Sequence, residues 1–154
     1  MEAITYRQAI LADLPGILSL YQIWAEEENR EELIIDISNS ERIWFDSWYK
    51  DIVYFIAADK DKIVSTCYVS IIPNLTWGGS SIAFMENVFT DKDYRNRGIG
   101  KKVVQMGIDY AEKSGCHKLI LQSSTSRKNA HRFYNSLGFD SDLKVAFDLR
   151  FTNK

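Results

Sequence analysis

Arg95-Asn96-Arg97-Gly98-Ile99-Gly100 is the stretch on which the fold turns. It lies between a strand-like run ending Glu86-Asn87-Val88-Phe89-Thr90 and a run in which Ile99, Val103, Met106 and Tyr110 recur at helical spacing. A helix therefore starts on the glycines. The first amides of a helix have no partner inside it and carry the positive end of its dipole, so such a start holds a phosphate without any side chain. Gly98 and Gly100 have no Cβ, so the backbone can approach a pyrophosphate closely and take up dihedral angles that other residues resist. Arg95, Arg97, Lys101 and Lys102 surround the loop with positive charge. By glycine pattern alone, an ordinary strand-to-helix turn with a basic rim is the commoner explanation. Two other phosphate loops are excluded. The segment lacks the spacer and the Lys-Ser/Thr ending of a nucleotide P-loop, and Val103 stands where a dinucleotide fingerprint has its third glycine.

Working outward, residues 4–8 are β-prone, and Asp13-Leu14-Pro15 marks a helix start. Ile17, Leu20, Tyr21 and Trp24 give that helix an apolar stripe before it reaches Glu26-Glu27-Glu28. A second helix is expected over residues 40–50, with Ile43, Trp44 and Trp48 buried. Residues 52–58 and 63–72 are rich in β-branched and aromatic side chains, and Asp59-Lys60-Asp61-Lys62 between them predicts a hairpin. Further strands are expected at 81–90, 119–123 and 142–151, and helices at 98–114 and 127–137, the latter two stopped by Gly115 and Gly138. This order predicts an α/β fold: a mixed, mostly antiparallel central sheet flanked by helices, with hairpins first and a strand-helix-strand crossover later. Without a repeat, linker or low-complexity tract, residues 1–154 read as one domain.

Composition narrows the function. Forty-five per cent apolar and 13% aromatic residues suffice for one core, and a net charge of -2 lacks the basic field expected of a nucleic-acid binder. Cys67 and Cys116 have no paired spacing and read as free thiols, while His117 and His131 have no ligand-spaced partner, so no metal site is expected. No cationic leader opens the sequence and no run approaches the roughly 20 apolar residues that span a bilayer, so a cytoplasmic location without membrane partners is the expectation.

Arg-x-x-Gly-x-Gly after a strand resembles the coenzyme A pyrophosphate loop of the GNAT superfamily of N-acetyltransferases. Downstream, Ala130-His131-Arg132-Phe133-Tyr134-Asn135-Ser136-Leu137-Gly138-Phe139 resembles that family's Ala-x-x-Phe-Tyr-x-x-x-Gly-Phe element. One helix and one strand separate the two motifs, as the family requires, and together they are more specific than either alone. The resemblance implies acetyl-coenzyme A as co-substrate and an N-acetyltransferase acting on a primary amine of a small molecule or peptide. It also implies that a homodimer is a frequent state. The alternative is a non-catalytic acyl-coenzyme A sensor or regulatory module of the same fold, which would not need catalytic side chains.

Amine acetylation requires a neutral amine, a donor to the thioester oxyanion and a proton for the departing thiolate. The resemblance runs the coenzyme's pantetheine arm along the backbone of Val88, Phe89 and Thr90, and its pyrophosphate over Arg95, Asn96, Arg97, Gly98, Ile99, Gly100 and Lys101. It implies Tyr134 as general acid beside the coenzyme sulfur; as a helix aromatic the residue would also fit a core with its hydroxyl satisfied locally. Strand alternation puts Glu86 on the face of Ile82, Phe84 and Val88, and an isolated carboxylate there has a raised pKa that suits a base. A solvated glutamate is the alternative, with water as base. Asn129 begins the last helix near the coenzyme's expected path, closer to Tyr134 than the family's usual asparagine. Glu26, Glu27, Glu28, Glu31 and Glu32 beside Trp24 would attract a cationic acceptor, although a solvated helix end is the commoner cause of such a cluster. Trp44, Trp48 and Tyr49 fit an acceptor pocket and core packing equally.

Overall fold

The computed structural model describes residues 3–30, 35–47 and 52–151, so the expectations for Glu31, Glu32, Trp48 and Tyr49 lie outside the described residues. The chain divides into two compact units, Met1–Leu121 and Gln122–Lys154. The first contains β1 (Thr5–Gln8), α1 (Leu14–Glu27), α2 (Ile37–Ser47), β2 (Ile52–Asp59), β3 (Lys62–Ile72), β4 (Ile82–Thr90), α3 (Ile99–Lys113) and β5 (Lys118–Leu121). The strands form one five-stranded sheet in sequence order, antiparallel except for the parallel β4·β5 pair. Parallel neighbours need a crossover, and α3 provides it. The mixed, mostly antiparallel α/β sheet expected from the sequence is therefore the observed architecture.

Local chemistry explains the elements. Pro15 sits in the first turn of α1, where its missing amide hydrogen costs nothing. Asp13, just before it, accepts the Ile10 amide at 2.7 Å and a bidentate Arg7 guanidinium at 2.5 and 2.7 Å. The β2–β3 turn closes at Asp59 opposite Lys62, with Lys60 in the left-handed region at φ 53°. A register shift between Ala57 and Ala58 then moves Tyr54 opposite Tyr68.

Phe55, Ile56, Ala57 and Ala58 are all buried, so β2 is covered on both faces. On one face Ile17, Leu20, Tyr21 and Trp24 of α1 pack with Trp44, Ile56, Ile63 and Phe89. On the other, α3 presses Gly107 onto the sheet. A Cβ at Gly107 would lie 2.5 Å from Met85 Cε and 3.0 Å from Val69 Cγ2. Of the side chains of α2 expected inside, Trp44 is buried, whereas Ile43 is exposed. No helix among the described residues is long and apolar enough to cross a membrane.

The second unit contains α4 (Lys128–Asn135). Gly138, at φ 92°, reverses the chain after it, and the Phe139 amide bonds the Tyr134 carbonyl at 3.2 Å. The Tyr134 ring meets Phe133 and Phe139 edge to face, with centroids 5.2 and 5.9 Å away. The strand expected at residues 142–151 does not form: the segment is neither strand nor helix and is exposed throughout. Period-two patterning creates a face to bury but supplies no neighbouring backbone, and a strand needs both.

Gly107→Val places a branched side chain against Met85 and Val69. Overpacking of this kind costs about 2 kcal/mol, so the melting temperature is expected to fall by about 4–8 °C in a calorimetric comparison with the unaltered chain.

Candidate active site

The site is organised by an irregularity in β4. Thr66 pairs with Phe89 and Tyr68 with Glu86, so Asn87 and Val88 together oppose Cys67 in a β-bulge. Asn87 takes φ 52°, a left-handed conformation that asparagine tolerates better than most residues. The extra residue reverses the facing of all that follows. Met85 lies against α3 at Gly107, whereas Phe89 stacks on Trp24 of α1 at 5.4 Å. Glu86 accordingly shares its face with Ile82, Phe84 and Phe89; the expected companion Val88 is displaced from that face by the bulge.

At the same point β4 loses a neighbour. Pairing with β5 runs from Ile82–Lys118 to Met85–Leu121 and stops. Among the described residues no strand pairs with 86–90 on that side, which leaves a short row of backbone donors and acceptors open.

That open edge leads to the start of α3. Asn96 and Gly98 are both left-handed, at φ 59° and 74°, and Gly98 is the N-cap without a side chain to cap the helix. The first intrahelical bond is Lys102 N–H to Gly98 C=O at 3.1 Å, so the amides of Ile99, Gly100 and Lys101 are the orphan donors of the helix. A Cβ on Gly100 would stand 2.8 Å from Thr90 Oγ1, so only glycine lets the helix start against the end of β4. Both glycines have a physical requirement.

The basic residues divide in role. The Arg95 guanidinium grips Glu27 of α1 through two bonds of 2.6 and 2.9 Å, its Nε donates to the Thr90 carbonyl at 2.9 Å, and it lies over the Phe89 ring. It locks the loop to α1. Arg97 lies over Tyr94, and Lys102 over Tyr6, while Lys101 is exposed. The approach to the loop is pinned by buried Asp91, which receives the Lys62 ammonium at 2.7 Å and the Asp93 amide at 3.0 Å. Burial pushes the Asp91 carboxyl up, but the Lys62 and Asp93 bonds overcome it and hold its pKa below the usual value.

Glu86 is half-buried, and burial raises its pKa. Its cross-strand neighbour Tyr68 lies 5.2 Å from the Tyr54 ring, which stacks on Trp44 at 5.4 Å. An aromatic ladder thus ends on a carboxylate. Burial pushes the Tyr54 phenol to about 12, and burial followed by the Glu86 charge raises Tyr68. Trp24 Nε1 and Thr66 Oγ1 are buried without a hydrogen-bond partner among the described residues. Burial also pushes the Cys67 thiol to about 12, which leaves it unreactive behind the bulge.

Tyr134 and Asn129 belong to the second unit. Asn129 Oδ1 accepts from Arg132, and His131 Nε2 meets the Ser124 carbonyl at 2.8 Å. Sequence reasoning missed Tyr54, Tyr68 and Asp91, and it read Glu27 as part of an acidic cluster for a cationic acceptor, whereas Glu27 pairs with Arg95. Alternation along the hairpin was the available signal for the tyrosines, but it does not reveal the two register shifts that align them with Glu86.

The Acetyltransferase (GNAT) family model matches residues 17–139, which include the bulged strand, the glycine loop and the Phe133-Tyr134 element. The chain belongs to the GNAT acetyltransferase family. A solved structure from Agrobacterium tumefaciens str. C58 assigned as an acetyltransferase is 32% identical, with a TM-score of 0.84 over 96% of this chain and 99% of that one. A Clostridium acetobutylicum structure with acetyl-CoA shares the fold at TM-score 0.75 and 23% identity, covering 95% of this chain and 96% of that chain. Glucosamine 6-phosphate N-acetyltransferase of Trypanosoma brucei brucei is 35% identical over 78 residues, 51% of each chain. The chain spans about half the length of the curated relatives it matches.

Because the Asp91 pKa is lowered, the stability it contributes is present above the ordinary carboxylate pKa and is lost as pH falls through the lowered value. Asp91→Asn is therefore expected to destabilise the chain at about pH 7. Its deficit in urea midpoint relative to the unaltered chain should shrink towards about pH 3, and a deficit constant with pH would contradict the ion pair's role.

Proposed function

We propose that this chain binds acetyl-CoA along the open edge of β4 and at the start of α3, and transfers the acetyl group to a primary amine of a small molecule or peptide. The observation that carries this reading is the coincidence of three features: the bulge at Asn87, the end of β5 pairing at Met85, and the uncapped α3 N-terminus reached through residues 86–98. An extended, amide-containing arm pairs with such an edge as an added strand would, through the backbone of Val88, Phe89 and Thr90. A pyrophosphate fits the amides of Ile99, Gly100 and Lys101, with Asn96, Gly98, Arg97 and Lys101 around it. Arg95 serves by holding this loop to Glu27. The family's use of acetyl-CoA supports the choice of ligand.

In the reaction the amine lone pair attacks the thioester carbonyl carbon, a backbone amide of β4 steadies the oxyanion, and collapse breaks the carbon–sulfur bond. The products are an amide and coenzyme A. Glu86, with its raised pKa, takes the proton lost by the amine directly or through water, and the Tyr134 phenol supplies the proton to the departing thiolate. Tyr134 rests on its position in the Phe-Tyr motif; Asn129 is assigned to the coenzyme on the same ground. The Trp44–Tyr54–Tyr68 ladder next to Glu86 suits a cationic acceptor, because aromatic faces and a carboxylate both attract an ammonium. The named substrates of relatives, glucosamine 6-phosphate and aminoglycosides, are amines of this kind.

Acetyl-CoA at about a hundred times its Kd should stabilise the fold by about 2.7 kcal/mol and raise the melting temperature by about 5–10 °C, with ATP far less effective. Absence of a coenzyme A shift would sink the reading. Stabilisation without thiol release over a panel of amines would favour the sensor.

Two variants test the chemistry. Glu86→Gln is expected to lower kcat/KM by about a hundredfold and to remove a rate limb that climbs with pH above the ordinary carboxylate range. A retained limb would return the base role to water. Tyr134→Phe should depress kcat more than it raises KM; unchanged turnover would remove the general acid.

A further inference from the structure

Arg95 and Arg97 stand two residues apart in the glycine loop and are held in opposite ways. Arg95 is satisfied inside the fold: Glu27 takes both of its terminal nitrogens and the Thr90 carbonyl takes Nε. Arg97 pairs with no carboxylate among the described residues, and its Cζ lies 5.3 Å from the centre of the Tyr94 ring. A ring face attracts a cation without neutralising it or using up its N–H groups, so this guanidinium keeps its charge and its fork of donors for another partner.

The ring that carries Arg97 is fixed at three points. The Tyr94 amide donates to the Asp91 carbonyl at 2.9 Å, the hydroxyl donates to Asp59 Oδ2 at 2.8 Å, and the Lys62 ammonium, bonded to Asp91 at 2.7 Å, lies 5.2 Å from the ring centre. The Asp59 bond raises the pKa of the phenol, so the hydroxyl stays protonated on its carboxylate. The β2–β3 turn and the end of β4 together hold one ring, and the ring holds one guanidinium.

Coenzyme A carries two phosphate groups of different kinds, a pyrophosphate and a phosphomonoester on the 3′ oxygen of its ribose. The orphan amides of Ile99, Gly100 and Lys101 suit the pyrophosphate, which other nucleotides also possess. A monoester bears about −1.5 to −2 charge near pH 7 and calls for a cation. Arg97 precedes Ile99 by two residues, so their Cα atoms stand within about 8 Å, and a planar guanidinium matches phosphate oxygens two at a time. Lys102 is drawn away to Tyr6 of β1, with Nζ 4.0 Å from that ring centre, and an ammonium offers no such fork.

We propose that Arg97 takes the 3′-phosphate of the coenzyme and that Tyr94 is the residue that positions it, so that this corner of the fold selects coenzyme A over its 3′-dephospho form. The inference rests on the reading that places the pyrophosphate at the start of α3. It adds a selectivity that the glycine loop lacks, because the pyrophosphate is common to both forms.

Calorimetric Kd values for coenzyme A and 3′-dephospho-coenzyme A test this without an acceptor amine. The unaltered chain should prefer coenzyme A about tenfold or more, the scale of a charge-assisted hydrogen bond. Arg97→Gln should bring the two affinities level, and Tyr94→Leu should cut the preference about threefold. Tyr94→Phe retains the ring and should retain the preference. Because the ratio compares two ligands on one protein, a general loosening of the loop weakens both and leaves it unchanged. Equal affinity in the unaltered chain would overturn the proposal and leave the coenzyme site standing, whereas binding of neither form would remove that site and this inference with it. A preference that survives Arg97→Gln would give the phosphate to Lys101 or Lys102. One indifferent to Tyr94→Leu, or lost as fully in Tyr94→Phe, would remove the positioning role of the ring.

Discussion

One extra residue in β4 sets the geometry of the candidate site. Without the bulge at Asn87 and Val88, residues 85 and 89 would share a face, and Phe89 could not reach Trp24 while Met85 packs under α3. The bulge satisfies both helices at once. It also ends the strand's regular course just past the last residue paired to β5. A strand freed from one neighbour but still anchored to β3 offers backbone groups to a ligand without losing its position.

The elements around it hold the glycine loop in place with charge and contact, leaving the amides of Ile99, Gly100 and Lys101 without an intrahelical partner. Arg95 joins two of them, bonding Glu27 of α1 and the end of β4 while covering Phe89 of the same strand. Asp91 and Lys62 tie the preceding turn to the β2–β3 hairpin, and Tyr94 donates to Asp59 at 2.8 Å beside them. The Arg95–Glu27 pair lies at the surface, where an isolated ion pair contributes little to stability, whereas Asp91 is buried beneath its partner Lys62. Their value is positional: they fix the orientation of a helix start whose donors remain available.

The opposite end of the bulged segment shows burial doing the complementary work. Glu86 is half-buried beside Tyr68, the end of the Trp44–Tyr54–Tyr68 ladder, and the loss of hydration raises its pKa. A carboxylate so placed takes protons more readily than a solvated one, and the aromatic faces beside it attract cations.

Much of this was legible in the sequence. Helical spacing at Ile99 and Val103, glycines before them and alternating hairpins upstream specify element types, because periodicity and backbone freedom are properties of neighbouring residues. The antiparallel hairpins and the strand-helix-strand crossover followed from them. Facing and register did not follow, because both depend on bulges, and a bulge is stabilised by what packs on each side of it. Counting back from the Asp59–Lys62 turn places Tyr54 opposite Cys67; the shift at Ala57 and Ala58 places it opposite Tyr68. Arg95 illustrates the same limit, since its charge was visible but its engagement with Glu27, 68 residues away, was not. Residues 142–151 mark the converse, a complete strand pattern that forms no strand. The sequence by itself determined the element types from β1 to α4, 142–151 excepted, since those rest on local chemistry. The tertiary structure alone decided which side chains meet and which backbone stays open, since those depend on partners remote in the chain.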